Sequence, residues 1–269
     1  MDPITQVLAC YRLAPVQAVL WGHPLSSGSA AIDWFVSADE TEVAEPQAHY
    51  REQVLRLPGL GTCYRAPPRA QAHPANGSEV HFLLAQSAPK VTPRHDALLA
   101  RIARELPQAR FTVMVGLRPH VPEALAARMR VAFEHHNVDF DQHVRMQVSV
   151  AEPQFLQLAA SMDINLDTIG WSGGVSTFDL LAQDLPTLSV ETPTLRGRQS
   201  AAMLRRIDCQ ELIATDADAY VQLAIDLGRD RDRRSALRER IAQLKHRLYD
   251  DSAPVAAFAE FLARNAPGG

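Results

Sequence analysis

An α/β fold with a doubly wound parallel sheet is predicted by three features of this sequence. From residue 78 onward, short apolar runs alternate with helical segments, which is the pattern of a parallel sheet covered by helices on both faces. Hydrophobic residues make up 46% and charged residues 22% of the chain, a globular composition that excludes disorder and fibrous classes. At ~100–200 residues per domain, a length of 269 residues allows one large domain or two modest ones.

Taken in order, residues 5–12 read as a short helix that ends before Pro15, because the residue before a proline is pushed out of the helical region. Apolar runs at Val16 to Trp21 and Ile32 to Ser37 read as strands, separated by the loop GHPLSSGS that contains His23. A third strand is predicted at Val54 to Leu57. The stretch from Pro58 to Ser78 holds four prolines and no apolar period, and reads as a linker over 59–78. Strands follow near Val80–Ala85, Phe111–Gly116, Val144–Ser149, Ile164–Asp167 and Thr187–Val190. Between the first two lies a helix at 95–105, whose Leu98, Leu99, Ile102 and Leu106 recur at helical spacing. Beyond Asp216 the chain reads as helical, with DRDRRSALRERIAQLKHRL as a solvated helix buried through Leu237, Ile241, Leu244 and Leu248.

Several function classes are disfavoured. A formal charge of −4 calls for neither a nucleic acid nor a membrane surface as partner. Cys10, Cys63 and Cys209 form no CxxC pair, and His135, His136 and His143 lack a second spaced ligand pair, so neither a disulfide framework nor a metal site is expected. No apolar run approaches the ~18 residues of a membrane span and no secretion signal is visible, so the expected location is cytoplasmic.

Ligands of doubly wound sheets bind beyond the carboxyl ends of the strands. Two loops there stand out. In LDTIGWSGGVSTFDLL, Gly173 and Gly174 precede a helix starting near Val175 or Ser176, where backbone amides, the helix dipole and the hydroxyls of Ser176 and Thr177 suit a phosphate. The same residues also fit a tight strand-to-helix turn with a hydroxyl cap. In QSAPK, Lys90 either meets that phosphate or is a solvated surface lysine. Trp171, beside the glycine pair, fits a base or sugar pocket as well as it fits a core. His23 is either a general base or a polar loop residue.

The segments RLAPVQAVLWGHPLSSG, AIDWFVSADE, REQVLRLPG, KVTPRHDALLARIARELPQAR, INLDT, SGGVSTFDLLAQDLPTLSV and LRGRQSAAMLRR, in this order, resemble the protein O-linked N-acetylglucosamine transferase family, including its SPINDLY-like members. The GHP tripeptide also resembles the bacterial cytoplasmic N-glycosyltransferases. The resemblance implies a GT-B fold, with a nucleotide sugar such as UDP-GlcNAc held between two Rossmann-like domains. It further implies metal-independent, inverting transfer to Ser, Thr or Asn of a protein acceptor, and no cofactor beyond the donor. Its divisions are a partial N-terminal Rossmann-like domain at 1–58, the linker 59–78, a complete nucleotide-sugar-binding domain at 79–250 and a C-terminal helix at 251–269.

Carried over position by position, Gln86 and Lys90 fall on the family's nucleotide and diphosphate contacts, and Gly174, Val175 and Ser176 on its phosphate-binding helix start. Asp179 falls on the carboxylate that holds the ribose. His23, Pro24 and Gly28 fall on the loop facing donor and acceptor, which makes His23 the candidate base and Lys90 the residue that neutralises the leaving group. Phe155 stands where family members carry a histidine against the base, and Val175 and Ser176 replace the usual threonine pair, so one hydroxyl is lost. The family's catalytic histidine lies upstream of anything matching Met1. The expectation is therefore a glycosyltransferase-like protein, or else a non-catalytic nucleotide-sugar-binding subunit that completes its N-terminal domain by homo- or hetero-oligomerisation.

Overall fold

The computed structural model describes residues 3–71, 77–116 and 120–265. After a short helix α1 (Pro3–Ala9), the strands β1 (Ala18–Leu20), β2 (Trp34–Ala38) and β3 (Gln53–Leu57) form a small parallel sheet in the order β1-β2-β3. Six further strands form a second parallel sheet: β4 (Val80–Leu84), β5 (Ala109–Val115), β6 (Val144–Val148), β7 (Ile164–Leu166), β8 (Thr187–Val190) and β9 (Ile213–Ala214). Their order, β6-β5-β4-β7-β8-β9, is the 3-2-1-4-5-6 arrangement of a Rossmann sheet, with the topological switch between β4 and β7. The two loops singled out above leave these two strands.

The connecting helices are α2 (Pro93–Glu105), α3 (Val121–His135), α4 (Phe140–His143), α5 (Glu152–Ala160), α6 (Val175–Ala182) and α7 (Gln199–Arg206), followed by α8 (Ala217–Arg229), α9 (Arg231–Leu244) and α10 (Ala253–Asn265). Strand side chains alternate between faces. Val80, Phe82 and Leu84 join Leu99 and Ile102 of α2 and Ala224 of α8 in the main core, where Phe82 stacks on Phe111 with ring centres 5.3 Å apart. On the opposite face Leu83 packs with Met114, Ala159 of α5 and Leu180 of α6. Burying apolar surface on both faces is what makes the central strands read as unbroken apolar runs.

Some elements differ from expectation. The first helix spans 3–9 rather than 5–12, and the charged helix ends at Leu244, passing into a 3-10 turn at Lys245–Leu248 that still buries Leu248. Neither β9 nor α7 was anticipated, since two residues of strand and eight of helix carry too little periodicity.

The proline-rich linker has no helix or strand from 62 to 71, yet it is strapped to the second sheet's layer. Leu60 is buried in the main core, and Tyr64 stacks on Phe178 of α6 at 4.9 Å. Gln183 accepts from the Ala70 amide (2.8 Å) and donates to the Pro68 carbonyl (3.1 Å), while Arg69 pairs with the buried Asp184 at 2.7 Å. Residues 72–76 of the expected linker lie outside the described residues. The chain finally returns to the first sheet: Phe261 of α10 packs edge-on against Trp34 of β2 at 5.1 Å. Arg206 ties the layers together by pairing with Glu40 (2.6 Å) and Asp251 (2.7 Å). Among the described residues, no helix is long and apolar enough to cross a membrane.

Candidate functional site

A cleft of ≈ 350 Å³ opens at the carboxyl ends of β4 and β7. The loop after β4 contributes Gln86 and Lys90, the loop after β7 contributes Trp171, Ser172, Gly174, Val175 and Ser176, and Gln199 comes from the start of α7. The far wall belongs to the first sheet, through Trp21, Gly22 and Pro24 in the loop after β1. Two wider depressions, ≈ 420 and ≈ 470 Å³, lie at the amino ends of the strands, where ligands of such sheets do not bind.

Lys90 is no solvated surface residue. Its ammonium donates to Gln86 Oε1 (2.9 Å) and to the Ser172 carbonyl (3.0 Å), and it lies 5.6 Å from the ring centre of Trp171. Burial lowers the Lys90 pKa, opposed by the nearby Asp167 carboxylate. Arg196 sits over the same indole, also at 5.6 Å, so Trp171 is bracketed by two cations.

Asp167, at the end of β7, organises the glycine turn from below. Its carboxylate accepts from the Gly173 amide (2.8 Å) and the Ser189 hydroxyl (3.0 Å), and burial raises its pKa. Gln86 Nε2 donates to Ser176 Oγ at 3.2 Å, linking the two loops. Position 173 admits only glycine, since a Cβ there meets Thr177 Oγ1 at 2.3 Å and Gln86 Nε2 at 2.6 Å. The first intrahelical bond of α6 runs from the Thr177 amide to the Gly174 carbonyl (2.9 Å), which leaves the Val175 and Ser176 amides ahead of it for a ligand.

Several sites read from the sequence take other positions. Gly173 spends its amide on Asp167, and buried Thr177 shares its hydroxyl with Ser200 Oγ at 2.9 Å, so both support the turn from beneath instead of facing a phosphate. Phe155 packs half-buried against the Leu83 cluster and does not line the cleft. Asp179 is nearly buried and accepts from the Tyr64 hydroxyl at 2.8 Å, while burial and Glu152 raise its pKa. His23 is flanked by lining residues but is not one itself; burial lowers its pKa. Gly28 lies exposed at φ 67° in the same loop, outside the lining.

Sequence reasoning missed Asp167, Gln199 and His95 as parts of this site. His95 accepts from the Ile169 amide at Nε2 (2.8 Å) and meets the Thr92 hydroxyl at Nδ1 (3.1 Å), tying the start of α2 to the loop that carries the glycines. An acid at the end of the strand preceding a glycine turn is the one signal that points to Asp167. The other two sit in ordinary helical surroundings.

Glycosyl transferase family 41 matches residues 85–253, which contain every cleft residue except those of the first sheet's loop. The SPINDLY protein of Arabidopsis thaliana, a probable UDP-N-acetylglucosamine–peptide N-acetylglucosaminyltransferase, is 25% identical over 88% of this chain and 26% of its own length. A UDP-glucose:protein N-beta-glucosyltransferase of Actinobacillus pleuropneumoniae is 23% identical over 90% of this chain and 39% of its own. The chain thus spans about a quarter of the length of the SPINDLY relatives. Among solved structures, the O-GlcNAc transferase of Thermobaculum terrenum superposes with a TM-score of 0.81 at 23% identity, over 94% of this chain and 48% of that one. WaaG, a glycosyltransferase of lipopolysaccharide biosynthesis, gives 0.60 at 15% identity, over 88% and 64%. The fold is that of these GT-B glycosyltransferases.

Proposed function

Because this chain belongs to glycosyltransferase family 41, we propose that its cleft binds a nucleotide sugar by the diphosphate and serves transfer of that sugar to a protein side chain. The observation that carries the reading is Lys90, held by Gln86 and the Ser172 carbonyl beside the free amides of Val175 and Ser176. An ammonium and a helix start converging on one cavity suit two linked phosphates, and they stabilise the charge that grows on a departing diphosphate. The donors named for the relatives, UDP-N-acetylglucosamine and UDP-glucose, are the first candidates.

One observation favours a second reading, a nucleotide-sugar-binding subunit. The cleft lining contains neither a carboxylate nor a histidine, so the proton of an acceptor hydroxyl or amide has no base among those residues. On either reading this chain supplies the donor side of the reaction. The two are separated by incubating the purified chain with radiolabelled UDP-N-acetylglucosamine or UDP-glucose and a mixed protein acceptor, with His23→Ala as control. Binding with only trace labelling supports the subunit reading. Robust labelling that His23→Ala abolishes supports the enzyme with His23 as its base, and absence of donor binding rejects both.

A further inference from the structure

Gln199 is 5% exposed, and its side-chain carboxamide makes no hydrogen bond to any described residue, although its backbone amide is held by Ser172 Oγ at 3.1 Å. Its carboxamide atoms are not sealed off from solvent, so they present an unused donor and acceptor to open space. Gln199 lines the cleft. It presses so closely on Gly174 that a Cβ at that position would lie 2.5 Å from its Oε1, with the Trp21 ring 3.7 Å away on the same side. A methyl group at position 174 would therefore push this side chain aside.

The position of Gln199 along the cleft decides what it meets. Lys90, Val175 and Ser176 line the cleft at the start of α6; around Gly174, just ahead of that start, lie Gln199 and Trp21, with Trp171 in the same lining. A diphosphate held by the first group leaves the second, a carboxamide with two indoles, for an adjoining part of the donor, and that chemistry suits a sugar. Resting on the proposed donor site, we infer that Gln199 is the residue that recognises the donor sugar, its carboxamide giving and taking hydrogen bonds with ring hydroxyls between the indoles of Trp21 and Trp171. A carboxamide both donates and accepts, which matches a hydroxyl, and aromatic faces cover the apolar C–H surface of a pyranose. It also restores polar contact at a helix start where Val175 offers no hydroxyl.

Calorimetric titration of the full chain with UDP, UDP-N-acetylglucosamine and UDP-glucose tests this. For the parent, at least one sugar nucleotide is expected to bind more tightly than UDP. Gln199→Ala is expected to weaken that sugar nucleotide by roughly 3- to 10-fold, the worth of one or two net hydrogen bonds, while UDP affinity moves less than twofold. Gly174→Ala, whose methyl group displaces the carboxamide, is expected to reproduce the loss of the sugar's contribution. Equal weakening of UDP and sugar nucleotide, or no change in either, overturns the role of Gln199 and leaves the donor site standing. Failure of the parent to bind UDP overturns the donor site and this inference with it.

Discussion

His95 shows how a single buried side chain can make the site sensitive to pH. Burial lowers its pKa to about 4 from the ordinary 6.5, so the folded state keeps it neutral while the unfolded chain protonates. The unfolded state then binds more protons between those values, and stability falls as pH drops through that window, by up to about 3 kcal/mol. Urea titrations at pH 7 and pH 4.5 are expected to give a smaller difference for His95→Gln than for the parent; an unchanged difference assigns the acid sensitivity elsewhere. Asp179 makes a second residue-level prediction. If it holds a ribose, Asp179→Ala weakens UDP while leaving pyrophosphate binding nearly unchanged, and loss of thermal stability without selective loss of UDP marks it as structural only. Tyr64→Phe removes the hydrogen bond that favours the Asp179 carboxylate, so UDP binding is expected to fail at a higher pH on acidification than in the parent. Residues of this kind were only partly legible: Lys90 was marked by its loop at a strand end, Ser176 by the glycine turn at a helix start and Gln86 by the family resemblance alone, whereas Tyr64 and Gln199 take their places through packing that no spacing reveals.

At the level of elements, the strap from 58 to 71 and the return of α10 decide how the two sheets meet. The strap lacks periodicity because its backbone is satisfied by side chains of the second layer, Gln183 above all, and not by a ladder or a helix. That is why composition marked it as a linker and missed its order. Arg206 of α7 joins Glu40 in the first sheet's loop and Asp251 before α10, and a Cβ at Gly59 (φ 59°) would meet its Nη1 at 2.7 Å. Arg206→Ala is expected to cost roughly 1–3 kcal/mol, since the pairs are partly buried and two carboxylates are left behind. Thermal denaturation of this variant with and without UDP checks it. If the variant matches the parent, the two sheets are held by apolar contacts such as Trp34–Phe261 instead.

For the whole molecule, the alternation of strands and helices was sufficient to place the six-stranded sheet, because β4, β5, β7 and β8 are buried on both faces and leave continuous apolar runs. From the residues alone the candidate cleft was legible on its second-sheet side, since the loops after β4 and β7 meet at the topological switch; on the other side only the family resemblance pointed to the loop whose Pro24 lines it. The contribution of Trp21 from the first sheet depends on long-range docking that local patterns do not encode. The central claim is that this switch point is a diphosphate site centred on Lys90. A charge ~4 Å from a phosphate is worth up to about 4 kcal/mol at an effective dielectric of 20, against about 1 kcal/mol net for one hydroxyl. The direct measurement is calorimetric titration of UDP into the parent, Lys90→Ala and Ser176→Ala proteins, each first shown by its melting curve to be folded. The account predicts that the parent binds UDP and that Lys90→Ala loses roughly tenfold or more affinity beyond what Ser176→Ala loses. Equal affinity in all three proteins, or no UDP binding by the folded parent, would contradict it.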